Sequence, residues 1–231
     1  MPDPAAYDAL LRRYVTPTGV RYRDWAAHPG DVQKLTEYLA ALQSVAPAKL
    51  EPKPALAYWI NLYNAATVHL ILEHYPVKSI KDIGGVLSSP WKIPVATVGG
   101  KQFSLNQIEN DVIRPLFHEP RIHFALNCAS RSCPPLRAEA YDGVRLDTQL
   151  EEQTARFLGD QATNSVDAQG TIWLSKVFDW YAADFAAAGG SVLAFVSPYL
   201  GLTGSTPGAG HVPALRYRDY DWNLNESTTG E

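Results

Sequence analysis

Both cysteines of the chain, Cys128 and Cys133, lie in one short stretch, RIHFALNCASRSCPPLR, and His123 precedes the first of them by five residues. Residues 122–126 are apolar and β-prone, which predicts a buried strand, and residues 129–132 are small and polar, which predicts a loop. A thiol and an imidazole brought together in this way can serve as nucleophile and general base in acyl transfer.

The two thiols differ in their sequence setting. Pro134 and Pro135 follow Cys133 directly and a helix-compatible run, LRAEA, comes next, so Cys133 is predicted to lie at or just before a helix N-terminus. The helix dipole lowers the pKa of a thiol in that position, and the thiolate is the attacking form. Cys128, at the end of an apolar strand, is more typical of a small buried side chain.

The same residues allow other interpretations. The two cysteines could form a small disulfide loop, bind a metal together with His123, or be inert. A metal is the weakest of these, because a zinc site takes three or four ligands and this pattern lacks a fourth. The sequence therefore predicts no metal and no cofactor, and it leaves a reactive pair, a disulfide and structural thiols open.

Composition limits the class of protein. The chain has 231 residues, of which 46% are hydrophobic and 19% charged, as expected for a globular domain. A formal net charge of -4 without any basic run argues against a nucleic-acid partner. The N-terminal MPDPAAYDAL lacks the features of a signal peptide, and no apolar run is long enough to span a bilayer. We expect a soluble protein, cytoplasmic or, if a precursor segment has been removed, exported.

The longest helical pattern runs from about Pro54 to Tyr75 and is apolar nearly all round, which predicts a buried central helix. Asn61 and Asn64 are three residues apart and share one of its faces. Buried amides need hydrogen-bond partners, so both are expected to bind neighbouring loops. An amide is also a suitable donor to a developing oxyanion.

A second helix, over residues 104–117, leads towards His123. Ser104 is its predicted N-cap, and Glu109 lies at the edge of its apolar face. An isolated helical glutamate is usually solvated, although a carboxylate placed here could orient the imidazole of His123. The apolar face is predicted to consist of Leu105, Ile108, Val112 and Leu116.

Taken together, the elements predict one α+β domain over residues 1–231. A helical N-terminal half, including helices within residues 3–50, is expected to pack on a small, mostly antiparallel sheet. Residues 226–231 are predicted to be a frayed tail. The predicted strands are the 92–103 hairpin, the strand with His123, residues 171–177 and residues 213–225.

Several aromatic residues are candidates for the wall of a cleft, although such residues are more often part of a core. Asp221 and Trp222, near the end of the last predicted strand, are the substrate-binding candidates. The other tryptophans considered for the cleft are Trp59, Trp91 and Trp180.

Five segments in chain order resemble the domain of unknown function 547 family, from about Tyr58 to Asn225. The resemblance implies a papain-like or transglutaminase-like fold. It also implies a catalytic set of Glu109, His123 and Cys133. The segments are YWINLYNA, SLNQIENDVIR, IHFALNCASRSCPPL, LSKVFDWYAADF and YDWNLN.

On this interpretation the protein is a cysteine-dependent hydrolase or acyl-transferase acting on a peptide or protein substrate. His123 would take the proton of Cys133, and Glu109 would hold the imidazole in the useful tautomer. Backbone N–H groups at the start of a 134–140 helix, with Asn127 or Asn64, would bind the oxyanion.

Two alternatives remain at this level. The domain could be a binding or scaffold module that keeps the fold without the chemistry. It could also be a redox sensor that forms a disulfide between Cys128 and Cys133, since Cys128 is either a reserve nucleophile or the partner that switches Cys133 off. The oligomeric state and the substrate are not predicted.

Overall fold

The computed structural model describes residues 1–85, 89–202 and 214–227. Its helices and short strands confirm the α+β class. The helices are α1 (Ala5–Tyr14), α2 (Tyr22–Ala26), α3 (Pro29–Gln43), α4 (Pro52–His74), α5 (105–117), α6 (Leu146–Leu158), α7 (Val177–Trp180), α8 (Ala182–Gly189) and α9 (Val192–Val196). The strands are β1 (Val15–Thr16), β2 (Gly19–Val20), β3 (Pro94–Val98), β4 (Lys101–Ser104), β5 (Ser165–Val166), β6 (Ile172–Leu174) and β7 (Leu215–Tyr217).

The predicted central helix is α4, and nearly every side chain from residue 55 to residue 72 is buried. Helix α3 packs along α4, and α1 packs on α3. The ring of Tyr7 in α1 stacks on that of Tyr38 in α3, with 4.4 Å between ring centroids. The N-terminal part of the chain therefore surrounds α4 with helices, as predicted. Within the described ranges, no helix is both long enough and apolar enough to cross a membrane.

The predicted single sheet is wrong. The strands form separate units: β1 pairs with β2, β3 pairs with β4, and a third unit has the order β5-β6-β7. The β3–β4 hairpin confirms the prediction for residues 92–103, with Gly99 and Gly100 both at positive φ in its turn. In the third unit β6 and β7 run parallel. Of the predicted 213–225 strand, β7 is the regular part, and Pro213 lies outside the described residues.

The predicted strand around His123 is also wrong, because Pro120–Phe124 forms a short 3-10 helix. Proline opens this turn, and the carboxylate of Glu119 accepts the backbone N–H of Arg121, which stabilises its start. Consecutive side chains then point in different directions. Ile122 joins the core around α4, and Phe124 joins a second core with several C-terminal aromatic residues. His123 lies where these two cores meet.

Helix α5 differs from the predicted regular helix because its middle is a π-helix. An i→i+5 hydrogen-bond pattern widens the turn, so the buried face recurs five residues after Ile108, at Ile113. Val112 is consequently half-buried and Leu116 is 66% exposed, contrary to the predicted face. Its segments are Leu105–Gln107 (α), Ile108–Ile113 (π) and Arg114–Phe117 (α).

This shift in register gives a testable difference. Replacing Ile113 with alanine is expected to lower the free energy of unfolding by about 2–4 kcal/mol, because it leaves a cavity in the core. Leu116→Ala is expected to change it by less than about 0.5 kcal/mol, because its side chain is largely in solvent. Urea unfolding of both variants measures the two values. A larger loss for Leu116→Ala would mean that α5 follows the regular helical register.

The C-terminal residues that are described do not fray. Glu226 forms an isolated β-bridge with Val20, and its carboxylate accepts the hydroxyl of Tyr75 at 2.7 Å. The backbone N–H of Ser227 donates to Val20. The predicted frayed tail is therefore wrong for these two residues, and residues 228–231 lie outside the described part of the chain.

Candidate functional site

A cavity of about 260 Å³ brings together four of the residues selected from the sequence. Glu109 reaches it from α5, His123 from the 3-10 helix, and Cys128 and Cys133 from the loop that follows. The remaining wall is largely aromatic. Its aromatic residues are Tyr63, Trp91, Trp180, Tyr181, Tyr220 and Trp222.

The loop that carries the cysteines is anchored on α4 by Asn64. The side chain of Asn64 donates to the backbone oxygen of Ala125 and accepts the backbone N–H of Asn127, both at 2.9 Å. Asn127 in turn donates to the oxygen of Pro134 at 2.8 Å, which closes the loop. Both asparagines are buried and neither lines the cavity. Their predicted oxyanion-binding role is wrong, because their amides support the backbone of the loop.

The C-terminal segment holds the loop from its other side. Ser130 forms an isolated β-bridge with Leu224, and the backbone N–H of Ser132 donates to the oxygen of Asp221. The carboxylate of Asp221 accepts N–H groups of Asn223 and does not line the cavity, so its prediction as a cleft-wall residue is wrong. Trp222 does line the cavity, as predicted.

Ala129, between the two cysteines, has φ of 60°, in the left-handed region. A residue with a Cβ pays roughly 1–2 kcal/mol for this conformation. The conformation is held because Ala129 is buried, its N–H donates to the side chain of Asn127, and its oxygen accepts from Asn225. Backbone strain of this kind is concentrated at functional sites, so it supports the choice of this loop as a site.

No helix follows Cys133, contrary to the prediction, since residues 133–140 are irregular. Pro134 and Pro135 also lack backbone N–H groups, so the start of this segment offers no donors to an oxyanion. The helix dipole therefore does not act on the thiol of Cys133. Cys133 is instead buried, and its sulfur accepts the backbone N–H of Cys128 at 2.9 Å.

The two thiols are adjacent and unequal. A hydrogen bond from the thiol of Cys133 lowers the pKa of Cys128 to about 7, although burial acts in the opposite direction. The hydroxyls of Ser130 and Tyr220, 3.2 and 3.3 Å from the sulfur of Cys128, also lower this pKa. Burial raises the pKa of Cys133 well above its ordinary value. These effects make Cys128 the more readily ionised thiol of the pair. Both cysteines are free.

His123 is positioned by Asp184 rather than by Glu109. Nε2 of His123 lies 2.8 Å from a carboxylate oxygen of Asp184, and Arg114 donates two hydrogen bonds to the same carboxylate, at 2.7 and 2.9 Å. The hydrogen bond with His123, and then those from Arg114, hold the pKa of Asp184 well below its usual range. An ionised Asp184 accepts the N–H of Nε2, which leaves Nδ1 as the basic nitrogen. Among the described residues, no hydrogen bond joins His123 to either sulfur.

Glu109 is buried, contrary to the solvated position usual for a helical glutamate, and its partner is Tyr181. The hydroxyl of Tyr181 donates to Oε1 of Glu109 at 2.5 Å, and the ring of Tyr181 stacks on His123 with centroids 3.7 Å apart. Burial, and then the charge of Glu109, raise the pKa of Tyr181, so that it stays a donor. The prediction that Glu109 holds the imidazole is therefore wrong, because Asp184 occupies that position.

Residues 47–158 match a family model described as Protein of unknown function, DUF547. This part of the chain is therefore similar to that family. No curated protein and no solved structure matches the chain. The papain-like or transglutaminase-like relationship therefore stays a prediction.

The candidate site extends beyond the matched range. The matched residues contain Glu109, His123 and both cysteines, whereas Asp184 and Tyr220 lie C-terminal to it. The resemblance noted in the sequence ran further, to about Asn225. The C-terminal segments belong with the site because Asp184 supplies the carboxylate for His123. Tyr220 supplies the hydroxyl for Cys128.

Sequence reasoning missed Arg114, Tyr181, Asp184 and Tyr220. Tyr181 and Asp184 are both in the quoted segment LSKVFDWYAADF, three residues apart, with Tyr181 as the N-cap of α8 and Asp184 in its first turn. This spacing of two polar side chains was a usable signal. Nothing in the sequence indicated that they meet α5 and His123. Trp91 and Trp180 line the cavity, whereas Trp59 is buried against Phe103 in the core.

The ionised state of Asp184 makes a contribution to stability that depends on pH. Asp184→Asn is expected to lower the free energy of unfolding by about 1–2 kcal/mol near neutral pH, through weaker hydrogen bonds to Arg114 and His123. Because the folded-state pKa is depressed, this contribution is complete above the unfolded-state pKa of about 3.9 and is lost as pH falls below it. Urea unfolding between about pH 3 and pH 7 measures this difference.

Asp179→Asn is the matched control, because Asp179 forms an exposed ion pair with Lys176 on the neighbouring helix α7. Its effect is expected to be small at every pH. A difference between the unmodified protein and Asp184→Asn that stays constant from neutral to acid pH would mean that Asp184 is not ionised in the folded protein.

Proposed function

We propose that this protein is a cysteine-dependent hydrolase or acyl-transferase that acts on peptide or amide bonds, with Cys128 as the attacking sulfur. The observation that supports this most is the meeting, at one cavity, of a thiol with a pKa of about 7 and an imidazole held by a carboxylate. The resemblance assigns the attack to Cys133. Burial and the raised pKa of Cys133 favour Cys128 in its place.

The reaction would follow the course of other thiol acyl transfers. Nδ1 of His123 accepts the proton of Cys128, and the sulfur forms a bond to the acyl carbon. The C–N bond then breaks, and His123 returns the proton to the leaving amine. Water, deprotonated by the same nitrogen, cleaves the thioester, or a second amine takes the acyl group. Hydrogen bonds of this kind often shorten only when substrate is bound, so their absence in the free protein is compatible with the mechanism.

Other groups at the cavity have supporting roles in this proposal. Asp184 stays ionised and holds the ring of His123, and Arg114 fixes Asp184. Tyr220, whose pKa is raised by burial and then by the two cysteines, remains a hydroxyl donor beside Cys128. The amide of Asn106 also lines the cavity. Both are suitable donors to the oxyanion of a tetrahedral intermediate.

An activated ester tests the proposal without knowledge of the natural substrate. With p-nitrophenyl acetate, the sulfur of Cys128 forms an S–acetyl bond and p-nitrophenolate leaves. We expect rapid release of about one equivalent of p-nitrophenolate, and peptide mapping at acid pH should place the acetyl group on Cys128. The proposal is wrong if the folded protein is acetylated no faster than the same protein unfolded in urea.

The adjacency of the thiols also favours a second function, a redox sensor. Hydrogen peroxide would oxidise the two thiols to a Cys128–Cys133 disulfide, take up their two protons and be reduced to two molecules of water. The hydrogen bond between the backbone N–H of Cys128 and the sulfur of Cys133 supports this function, because it places the two cysteines close together. Peptide mapping with and without reductant, after exposure to hydrogen peroxide, distinguishes a disulfide from oxidation of one thiol alone.

A further inference from the structure

Glu109 lines the cavity but takes no part in the proposed chemistry. The residue is only 8% exposed, and Oε1 accepts the hydroxyl of Tyr181. Its other oxygen, Oε2, makes no hydrogen bond or ion pair with the described residues. Oε2 is accessible from the cavity rather than sealed in the core, so it is available to accept a hydrogen bond or an ion pair from a ligand.

The charges around the cavity favour a cation as that ligand. Among the described residues that line it, Glu109 is the only carboxylate, and neither lysine nor arginine is present. Behind the wall, Arg114 and Asp184 neutralise each other through two hydrogen bonds. A thiolate at Cys128 adds a second negative charge inside the cavity. An anionic ligand would therefore be repelled.

The aromatic wall favours the same kind of ligand. Trp180 stacks on Trp222 with centroids 5.7 Å apart, and Trp222 meets Trp91 edge to face at 5.4 Å. The faces of such rings attract ammonium groups. Trp222 already shows this property, because the ammonium of Lys81 lies 3.8 Å from its centroid. Lys81 does not line the cavity.

We propose that the cavity selects substrates that carry a cationic side chain of the lysine class beside the scissile bond, and that this group binds between the carboxylate of Glu109 and the aromatic wall. The identity of the scissile bond rests on the function proposed above, whereas binding of the cation is independent of that function. A cavity of about 260 Å³ is slightly smaller than the roughly 300–1,000 Å³ usual for ligand sites, which fits one side chain with its adjoining amide.

Titration of the full chain with two matched compounds tests this proposal. The compounds are Nα-acetyl-lysine methylamide and Nα-acetyl-norleucine methylamide, which differ in the ammonium group, and tryptophan fluorescence reports binding. We expect the lysine compound to bind at least about tenfold more tightly, and added salt to reduce the difference. Equal affinity, tighter binding of the norleucine compound, or no binding of either compound would overturn the proposal.

Two variants show whether Glu109 is responsible. Glu109→Gln keeps the shape and removes the charge, and it should reduce the preference for the lysine compound to less than about threefold. Asp111→Asn removes an exposed carboxylate from the same π-helix and should leave the preference unchanged. If Glu109→Gln does not fold, the comparison of the two compounds on the unmodified chain still decides the proposal.

The outcome can be separated from that of the proposed function. If the lysine compound is preferred but the ester does not acetylate either thiol, the cation site stands and the thiol chemistry falls. If Cys128 is acetylated and the two compounds bind equally, the chemistry stands and the cation site falls.

Discussion

Cys128→Ala is expected to slow acetylation of the protein by p-nitrophenyl acetate at least about a thousandfold at pH 7, because the alanine variant lacks the thiol whose pKa is lowered. The remaining sulfur, on Cys133, is buried and its pKa is raised by that burial, so it does not replace Cys128. The initial rate of p-nitrophenolate release measures the effect, and peptide mapping identifies the acetylated residue.

Cys133→Ala and Cys133→Ser are the matched variants. The alanine variant loses the hydrogen bond that lowers the pKa of Cys128, so its reaction should be slower near pH 7 and recover at alkaline pH. The serine variant keeps a donor and should lie between the alanine variant and the unmodified protein. If Cys133→Ala abolishes acetylation at every pH while Cys128→Ala retains it, Cys133 is the nucleophile, as the family resemblance implies.

Asn64→Ala is expected to lower the free energy of unfolding by about 3–5 kcal/mol. The substitution leaves the backbone oxygen of Ala125 and the backbone N–H of Asn127 buried without partners, and each such group costs about 1–3 kcal/mol. It also frees the loop that carries Cys128. Alkylation of that thiol under native conditions should therefore lose its low apparent pKa. Urea unfolding and alkylation rates measure the two effects.

Asn61→Ala supplies an unusually close control for this experiment. Asn61 lies one turn earlier on α4 and binds the backbone N–H and oxygen of Tyr141, both at 2.8 Å. Its loss should destabilise the protein by a similar amount, while Tyr141 lies outside the residues that line the cavity. We expect the alkylation of Cys128 to change in Asn64→Ala and not in Asn61→Ala. Equal changes in both would mean that the effect is global.

The elements that could be predicted from the sequence are those specified by local pattern. The continuous apolar character of α4 favours a buried helix. The Gly99–Gly100 turn between two alternating segments favours a β-hairpin. The grouping of Glu109, His123 and Cys133 at one cavity was also expected from the resemblance, and Cys128 is close to Cys133 in the sequence. Such features need no knowledge of which elements meet.

The errors arise where tertiary contacts override local pattern. Residues 122–126 have the composition of a strand, but Pro120 and the carboxylate of Glu119 favour a tight turn that sends Ile122 and Phe124 into different cores. The regular spacing in α5 gave no sign of a π-helix, and the π-helical segment packs against α4. These are contacts between distant parts of the chain, so no window of sequence contains them.

The positioning carboxylate illustrates the same limit at the site. Glu109 was the natural candidate because its helix leads directly to His123, whereas Asp184 is 61 residues beyond His123. Glu109 and Asp184 are both single acidic residues on helices. The sequence around them does not show that Asp184 binds an imidazole and Glu109 binds a tyrosine. The packing of α8 against the 3-10 helix identifies Asp184 as the partner of His123.

The pH dependence of alkylation at Cys128 and Cys133 in the native protein tests the central claim most directly. Iodoacetamide rates at each thiol, resolved by peptide mapping, should show Cys128 reacting first, with an apparent pKa near 7. In Tyr220→Phe, which removes one hydroxyl that lowers this pKa, the value should rise towards the free-thiol value of about 8.5. If Cys133 reacts first, or if Cys128 reacts only above about pH 8.5 in the unmodified protein, the assignment of Cys128 as the attacking sulfur is wrong.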